Sequence, residues 1–194
     1  MYTKNRLQVQ YFTAGQRPDL MAQAWRIRYE MLVQQRGWNI THIYNLEMDK
    51  YDQYALHCAV MDGARVVGYV RGNPTQRPHM LGECFPQLSA CVHEENSKVV
   101  WEVSRFVFDQ TRRHHPELIN TLIDSGVGLG ERVGADLLVA VVEGWMERAV
   151  RRRGYPTRSL GQPIVVGNGR NRPVKAYVSA VSMADVLASR QDVA

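Results

Sequence analysis

The chain has 194 residues, of which 45% are apolar and 22% charged, and its formal net charge is +5. This size predicts one globular domain over residues 1–194 with a full hydrophobic core. No apolar run reaches the roughly 20 residues of a transmembrane helix, and no signal peptide is evident, so we expect a cytoplasmic protein without membrane insertion. Three cysteines without Cys-x-x-Cys spacing predict neither a disulfide framework nor a metal site.

Apolar residues recur at helical spacing over residues 19–36, between a start signal at Pro18-Asp19 and a stop at Gly37. Arg28 falls in the middle of this apolar face. A buried arginine is costly unless carboxylates meet it. The stretch "NLEMDKYDQY" supplies Glu47, Asp49 and Asp52, which we therefore predict to be its partners.

Three strands are predicted in the next part of the chain. Residues 55–61 and 65–72 form a hairpin around Asp62-Gly63. Residues 72–86, rich in Pro and Gly, are predicted to be a loop. Residues 99–108, "VVWEVSRFVF", follow as a strand that carries Glu102 and Arg105.

The remaining elements alternate between helix and strand. Helices are predicted over 117–133 and 145–153, and a short one over 182–190 begins with Ser182 as its N-cap. The continuous apolar run 136–142 is typical of a strand covered on both faces, and strands near 163–167 and 174–181 follow. This order predicts an α/β/α sandwich with a central sheet.

The charged residues within these apolar elements allow two interpretations. They are Arg28, Glu47, Asp49, Asp52, Arg71, Glu102 and Arg105. They can form a buried ion-pair network that orders the fold, or they can line a cleft for a zwitterionic or cationic small molecule. The residues alone leave both interpretations open.

Several motifs recur at defined spacings in the first half of the chain. Arg28 is followed ten residues later by Trp38, and then by Glu-x-Asp-x-x-Asp at 47–52. The pattern continues with Arg71, "PTQRPHML" at 74–81, Phe85-Pro86 and "WEVSRF" at 101–106. Together these motifs resemble the acyl-homoserine-lactone synthases, the autoinducer synthases of bacterial quorum sensing. The resemblance is close over residues 20–110 and looser beyond.

The resemblance implies a mixed central sheet like that of the GCN5-related N-acetyltransferases. It also implies two substrates, S-adenosylmethionine and an acyl thioester. The amine of S-adenosylmethionine attacks the thioester, and the methionyl carboxylate then closes the lactone and releases methylthioadenosine. No separate cofactor is expected, because S-adenosylmethionine is a substrate.

The roles of individual residues follow from the resemblance. Glu102 is expected to accept the amine proton through a water, with Ser104 and Arg105 completing the catalytic set. S-adenosylmethionine is expected to meet Arg28, Trp38, Asp49, Asp52, Arg71 and Phe85, with Glu47 tying an arginine in place. In a regular strand Glu102 and Arg105 face opposite sides, so we also predict a bulge or kink near Val103–Ser104.

The alignment also implies an acyl pocket and a docking surface. The pocket residues are Met80, Val103, Phe106, Ala140, Val142, Trp145 and Met146. Ala140 stands where makers of 3-oxo signals tend to have Thr, which favours an unsubstituted or otherwise atypical acyl chain. The docking surface is the basic cluster Arg148, Arg151, Arg152, Arg153 and Arg158, suited to acidic acyl carrier protein or to the phosphates of acyl-CoA. Carrier protein is favoured.

Three alternatives remain at this stage. A non-catalytic binding module would not need the full charged set. A generic acetyl-CoA-dependent N-acetyltransferase would carry a glycine-rich pyrophosphate loop, which we do not find. A nucleic-acid regulator would need a recognition element, and none is identifiable, so no nucleic-acid partner is expected.

Overall fold

The computed structural model describes residues 7–93, 95, 98–112, 115–167 and 173–191. Its strands are β1 (Gln8–Phe12), β2 (Leu56–Asp62), β3 (Arg65–Pro74), β4 (Val100–Phe108), β5 (Leu137–Glu143), β6 (Arg158–Val166) and β7 (Val174–Ser182). Its helices are α1 (Pro18–Arg28), α2 (Met80–Cys84), α3 (Pro86–His93), α4 (Pro116–Val133), α5 (Gly144–Arg152) and α6 (Met183–Gln191). The strand order is β1-β2-β3-β4-β5-β7-β6.

The described residues fall into two compact units. The first holds the chain up to Arg71 together with Arg105–Gly126. The second holds Gly72–Ser104, Val127–Gly167 and the described residues from 173 onward. The prediction of a single domain over 1–194 therefore stays a prediction.

In the first unit, α1 buries the face that the sequence predicted. Leu20, Met21, Ala24 and Ile27 are buried together with Arg28. The helix continues as a π-helical segment over Tyr29–Gln35 and ends at Gly37, whose φ of 64° lets the amide of Trp38 bond back to the carbonyl of Leu32. A glycine in this conformation is a common helix stop.

The β-elements of the first unit include one that the sequence pattern missed. β1 pairs antiparallel with β2, with Gln8 opposite Met61 and Phe12 opposite His57. Gln8 and Val9 are exposed and only Phe12 is buried, so backbone pairing with β2 rather than burial of an apolar face accounts for this strand. The predicted β2–β3 hairpin is present, with Gly63 at a φ of 60°.

In the second unit, β5 is covered on both faces, as its apolar run predicted. Leu137 and Val139 belong to a core cluster with Leu81 and Leu88, whereas Leu138 belongs to a second cluster with Val186. β5 runs parallel to β4 and antiparallel to β7, and β7 pairs with β6.

Two boundaries in the second unit differ from the sequence-based expectation. The stretch predicted to be a loop over 72–86 contains α2, and α3 begins at Pro86. The prediction was wrong because Leu81 and Leu88 are buried in the core, and this burial outweighs the neighbouring glycine and prolines. β6 begins at Arg158, earlier than predicted, and Gly161 at a φ of 68° marks an irregularity in its pairing with β7.

Candidate active site

The spacing of the acidic motif folds locally into a capped turn. Asp49 precedes a 3₁₀-helix over Lys50–Tyr54 and accepts a hydrogen bond from the amide of Tyr51 at 3.0 Å. In return, the Asp52 carboxylate accepts from the amide of Asp49 at 3.3 Å. This reciprocal capping box fixes both aspartates at one end of the turn.

Arg28 meets all three carboxylates of the motif. Its Nε donates to Glu47 Oε2 at 2.5 Å, its Nη1 to Asp52 Oδ1 at 2.7 Å and its Nη2 to Asp49 Oδ2 at 3.4 Å. The sequence predicted these partners from the cost of an arginine on an apolar helix face, and the structure confirms that pairing.

Two further arginines complete the cluster in the first unit. Arg71 Nη1 lies 2.5 Å from Asp49 Oδ1 and 2.6 Å from Asp52 Oδ1. Arg105 Nη2 lies 2.9 Å from both Glu47 Oε1 and Asp49 Oδ2. Three guanidinium groups thus face three carboxylates, and their formal charges cancel. We call these six residues the ion-pair network.

Asp52 has a fourth partner that the sequence reasoning missed. The indole Nε1 of Trp25 donates to Asp52 Oδ2 at 3.0 Å. Trp25 lies in the predicted helix 19–36, where helical spacing indicates only that it shares the apolar face. The signal in the sequence that could have predicted such a partner is the indole N–H, because it needs a hydrogen-bond acceptor once the ring is half-buried.

Within the network, the pKa values of Arg28, Asp49, Asp52 and Arg71 are shifted in the directions that favour the charged forms. Burial alone would raise the pKa of Asp52, but Arg28 and Arg71 outweigh it and hold that pKa well below its ordinary value. The pKa of Asp49 is likewise lowered, chiefly by Arg71 acting against burial. Burial would lower the pKa of Arg28, yet its charged neighbours raise it.

Exposure separates the core of the network from its edge. The side chains of Arg28 and Arg71 are 0% exposed and that of Glu47 is 1% exposed, whereas those of Asp52 and Arg105 are 8% and that of Asp49 is 15% exposed. As whole residues, Arg28, Glu47, Asp52 and Arg71 are buried, and Asp49 and Arg105 are half-buried. The four buried members act as a brace for the fold, and Asp49 and Arg105 form the more accessible edge of the network.

The backbone at Arg105 departs from a regular strand. Its φ is 56°, a left-handed conformation that is rare for a long side chain. In β4 the buried and half-buried residues alternate as far as Ser104, after which two successive half-buried residues, Arg105 and Phe106, break the alternation. The predicted kink is therefore present, one residue later than its predicted position at Val103–Ser104.

Glu102 lies in the second unit and is fully buried. Its Oε1 accepts a hydrogen bond of 3.0 Å from the amide of Leu81, in the first turn of α2. Ser104 is buried two residues further along the strand. The β4–β5 register pairs Val100 with Leu137 and ends with Glu102 opposite Val139, so Glu102 stands where the parallel ladder stops.

The two aromatic residues expected near S-adenosylmethionine lie in different units. Trp38, in the first unit, is half-buried, and the guanidinium carbon of Arg36 lies 6.0 Å from its ring centre. Phe85, in the second unit, packs against the cluster that contains Leu81. Their contact with a substrate stays a prediction.

The residues predicted to line the acyl pocket are also divided between the units. Phe106 lies in the first unit, and its ring makes an edge contact with Phe108 at 6.4 Å. In the second unit, Val103 packs beside the cluster of Leu138, and the alternation of β5 places Ala140 and Val142 on that same face. Met80 is the first residue of α2, whereas Trp145 and Met146 lie in the first turn of α5.

Two of the five arginines of the predicted docking surface, Arg151 and Arg158, form ion pairs with neighbouring glutamates. Arg151 bonds Glu147 at 2.9 Å and Thr157 Oγ1 at 2.6 Å, and Arg158 bonds Glu95. Arg148, Arg152 and Arg153 are exposed. A surface hollow of about 320 Å³ borders this basic cluster at Arg151. It is lined by Arg151, Gly154, Tyr155, Pro156 and Thr157.

Comparison with known proteins decides the family. The model of the autoinducer synthase family matches residues 13–185. The chain belongs to the autoinducer synthase family. An acyl-homoserine-lactone synthase of Rhizobium radiobacter is 30% identical over 159 residues, which cover 76% of this chain and 74% of that protein.

Two solved structures are similar to this autoinducer synthase. A CoA-dependent acyl-homoserine lactone synthase, BjaI, solved with SAM and isopentyl-CoA, has a TM-score of 0.77 at 24% identity, over 95% of this chain and 89% of that one. TofI, solved in a ternary complex with an inhibitor and MTA, has a TM-score of 0.69 at 26% identity, over 94% and 95%.

These findings confirm the predicted fold class and the enzyme class. The mixed seven-stranded sheet with helices is of the N-acyltransferase type, and the protein is an acyltransferase that acts as an acyl-homoserine-lactone synthase. No helix among the described residues is long and apolar enough to cross a membrane. In the same part of the chain, no group of three or more His, Cys, Asp or Glu side chains is arranged to hold a metal ion.

Proposed function

We propose that this autoinducer synthase acylates the amine of S-adenosylmethionine from an acyl thioester and then closes the lactone with release of methylthioadenosine. The observation that carries the proposal is the family match over residues 13–185. TofI, a relative at 26% identity, was solved with MTA, which is the leaving group of this reaction. Both substrates bring their own reactive groups, so no further cofactor is needed.

The edge of the ion-pair network suits the two charges of the methionyl group. Asp49 offers a carboxylate to the amine, and Arg105 offers a guanidinium to the carboxylate. The charges of Asp49 and Arg105 are already balanced by Glu47, Arg28 and Arg71. The two side chains are therefore held in fixed orientations within a cluster that has no net charge. Preorganised groups of this kind orient a charged substrate without rearranging themselves.

Glu102 is the residue to which we assign the amine proton. Attack on the thioester requires a neutral amine, and a carboxylate acting through a water can take its proton. One carboxylate oxygen of Glu102 is held by the amide of Leu81, which fixes the orientation of the side chain. Ser104 and the aromatic faces of Trp38 and Phe85 remain assigned to the same substrate, the aromatic faces because a sulfonium cation favours them.

Acyl carrier protein is the donor that we propose. Arg148 and Arg152 are exposed and lie four residues apart, on one face of α5. An acidic carrier protein would be steered by such a surface. Arg151 and Arg158 are already paired with Glu147 and Glu95, so we assign most of the steering to Arg148 and Arg152.

One assay tests the reaction. The purified protein is incubated with S-adenosylmethionine and a panel of acyl thioesters, and methylthioadenosine and lactone are measured by chromatography and mass spectrometry. We expect both products to depend on both substrates. Acylation of another amine without methylthioadenosine would instead indicate a generic N-acyltransferase.

A second assay tests the donor. The double variant Arg148→Glu/Arg152→Glu should raise the KM for acyl carrier protein and leave the KM for a short thioester mimic unchanged. Arg190→Glu, the same charge change on the exposed side chain paired with Glu131 on another helix, is the control. Equal effects on both donors, or faster turnover with acyl-CoA of the same chain, would contradict the assignment.

A further inference from the structure

Two buried polar side chains of the first unit have no part in the function described so far. His57 on β2 and Tyr69 on β3 are both completely buried. His57 Nδ1 lies 2.6 Å from the hydroxyl oxygen of Tyr69. A polar pair this deep must satisfy its hydrogen bonds within the protein, so its partners are informative.

The partners of His57 determine its tautomer. Its Nε2 lies 3.0 Å from the main-chain carbonyl oxygen of Asp52, which can only accept, so Nε2 carries the hydrogen. Nδ1 is then the acceptor and takes the hydrogen of the Tyr69 hydroxyl. The ring of Phe12 stacks on the imidazole with centres 5.5 Å apart, and burial lowers the pKa of His57 to about 4. The imidazole is therefore neutral at physiological pH.

Tyr69 connects this imidazole to the ion-pair network. The single hydrogen of its hydroxyl is committed to His57, which fixes the orientation of the tyrosine. The guanidinium carbon of Arg28 lies 5.8 Å from the centre of the tyrosine ring. The pair thus contacts Arg28 through the ring of Tyr69, and through His57 it holds the backbone of residues 49–54, which we call the acidic turn.

We propose that His57 and Tyr69 are positioning residues for S-adenosylmethionine, because together they set the distance between Arg28 and the acidic turn. Asp49, at the edge of the network, belongs to that turn and is held by Arg28 and Arg71. A small displacement of the turn moves this carboxylate relative to the substrate amine. The inference rests on the proposed function.

A purely structural role would have a different signature. If the pair only satisfied buried groups, its loss would lower the melting temperature and leave the kinetic constants of the folded enzyme unchanged. A positioning role changes the KM for S-adenosylmethionine specifically, because the proposed function assigns Asp49 of the acidic turn to the amine of that substrate and not to the thioester.

The test compares hydroxyl deletions. Tyr69→Phe keeps the ring and removes the hydroxyl, and we expect the KM for S-adenosylmethionine to rise about fivefold, the equivalent of one hydrogen bond. The KM for the thioester should not change. Tyr11→Phe is the control, because it deletes a hydroxyl of the same unit that bonds the carbonyl of Ser125 at 3.1 Å.

Substitution of the imidazole provides a second comparison. His57→Leu removes both hydrogen bonds and should raise the KM for S-adenosylmethionine at least as much as Tyr69→Phe. His57→Gln offers an amide donor and a carbonyl acceptor and should restore most of that loss. An unchanged KM in Tyr69→Phe, or equal losses for both substrates, would overturn the proposal.

A measurement on the unmodified protein covers the case in which the variants fail to fold. Nitrogen-15 NMR of the imidazole should show Nε2 protonated and Nδ1 acting as acceptor. The opposite tautomer would overturn the proposal, because Nε2 could then not donate to the carbonyl of Asp52 and His57 would not hold the acidic turn. Absence of methylthioadenosine from the unmodified enzyme would instead count against the proposed function.

Discussion

Trp25 on α1 and Asp52 on the acidic turn are joined by a hydrogen bond of 3.0 Å from the indole Nε1 to the carboxylate Oδ2. The other oxygen of Asp52 accepts from Arg28 at 2.7 Å and from Arg71 at 2.6 Å. With the amide of Asp49 as a further donor, Asp52 is enclosed by protein groups. Asp52 is therefore a structural centre of the network, whereas Asp49 forms its accessible edge.

Trp25→Phe should destabilise the protein by about 1.5 kcal/mol, because it removes a donor to a charged acceptor and keeps an aromatic ring. Urea denaturation measures the change. Trp145→Phe is the control, since the exposed indole of Trp145 bonds Glu143 at the surface and its loss should change the midpoint little. Equal shifts in the two variants would contradict the role assigned to Trp25.

Asp52→Ala should lower the free energy of unfolding by about 3–5 kcal/mol, because Arg28 and Arg71 would remain buried with too little negative charge. Asp19→Ala removes a carboxylate whose pair with Arg17 is exposed, and we expect a far smaller change. Denaturant titration of both variants checks the contrast. A mild effect at Asp52 would show that water reaches the network.

Glu102→Gln should keep the fold and reduce turnover by about 10²–10⁴-fold. The amide oxygen can still accept the hydrogen bond from Leu81, but the side chain can no longer take a proton. Methylthioadenosine release measures the effect, and circular dichroism checks the fold. Glu131→Gln, on the exposed face of α4, is the matched control and should retain full activity. Unchanged turnover in Glu102→Gln would remove the assignment.

Stability should fall as the pH drops from about 6.5 to 4. Burial lowers the pKa of His57 from 6.5 to about 4, so in this interval the unfolded chain binds a proton that the native protein does not. The loss should reach about 3 kcal/mol. Below pH 4, Asp49 and Asp52 add to the loss of stability. Their pKa values are lowered in the native state, so the stabilisation that their ionised forms provide disappears when they are protonated. Urea midpoints of the protein and of His57→Gln should diverge in this range, and parallel curves would contradict the assignment.

Gly68→Ala should destabilise the first unit by about 1–3 kcal/mol through overpacking. A Cβ at this position would lie 2.8 Å from Leu122 Cδ1, and Leu122 is fully buried. Gly15→Ala is the control, because nothing lies within 4 Å of the added carbon there. Thermal unfolding should therefore separate the two variants, and an equal melting temperature would contradict the close packing of β3 against α4.

The elements that were predicted correctly depend on local signals. Arg28 could be placed on a buried helix face, because helical spacing and the cost of a buried charge are properties of nearby residues. The kink at Arg105 followed from the two-residue period of a strand, and its position was wrong by one residue. α2 was missed, since Gly82 and the flanking prolines indicate a loop unless Leu81 is known to be buried.

By itself the sequence determined the family, the fold class and the carboxylate partners of Arg28, because these depend on motif spacing and on charge that has to be matched. Only the tertiary structure decided which acids are enclosed and which are accessible, that Arg105 joins Glu47, and that Trp25, His57 and Tyr69 support the network. The physical reason is that a hydrogen bond between residues far apart in the chain depends on burial and orientation, which the folded packing alone defines.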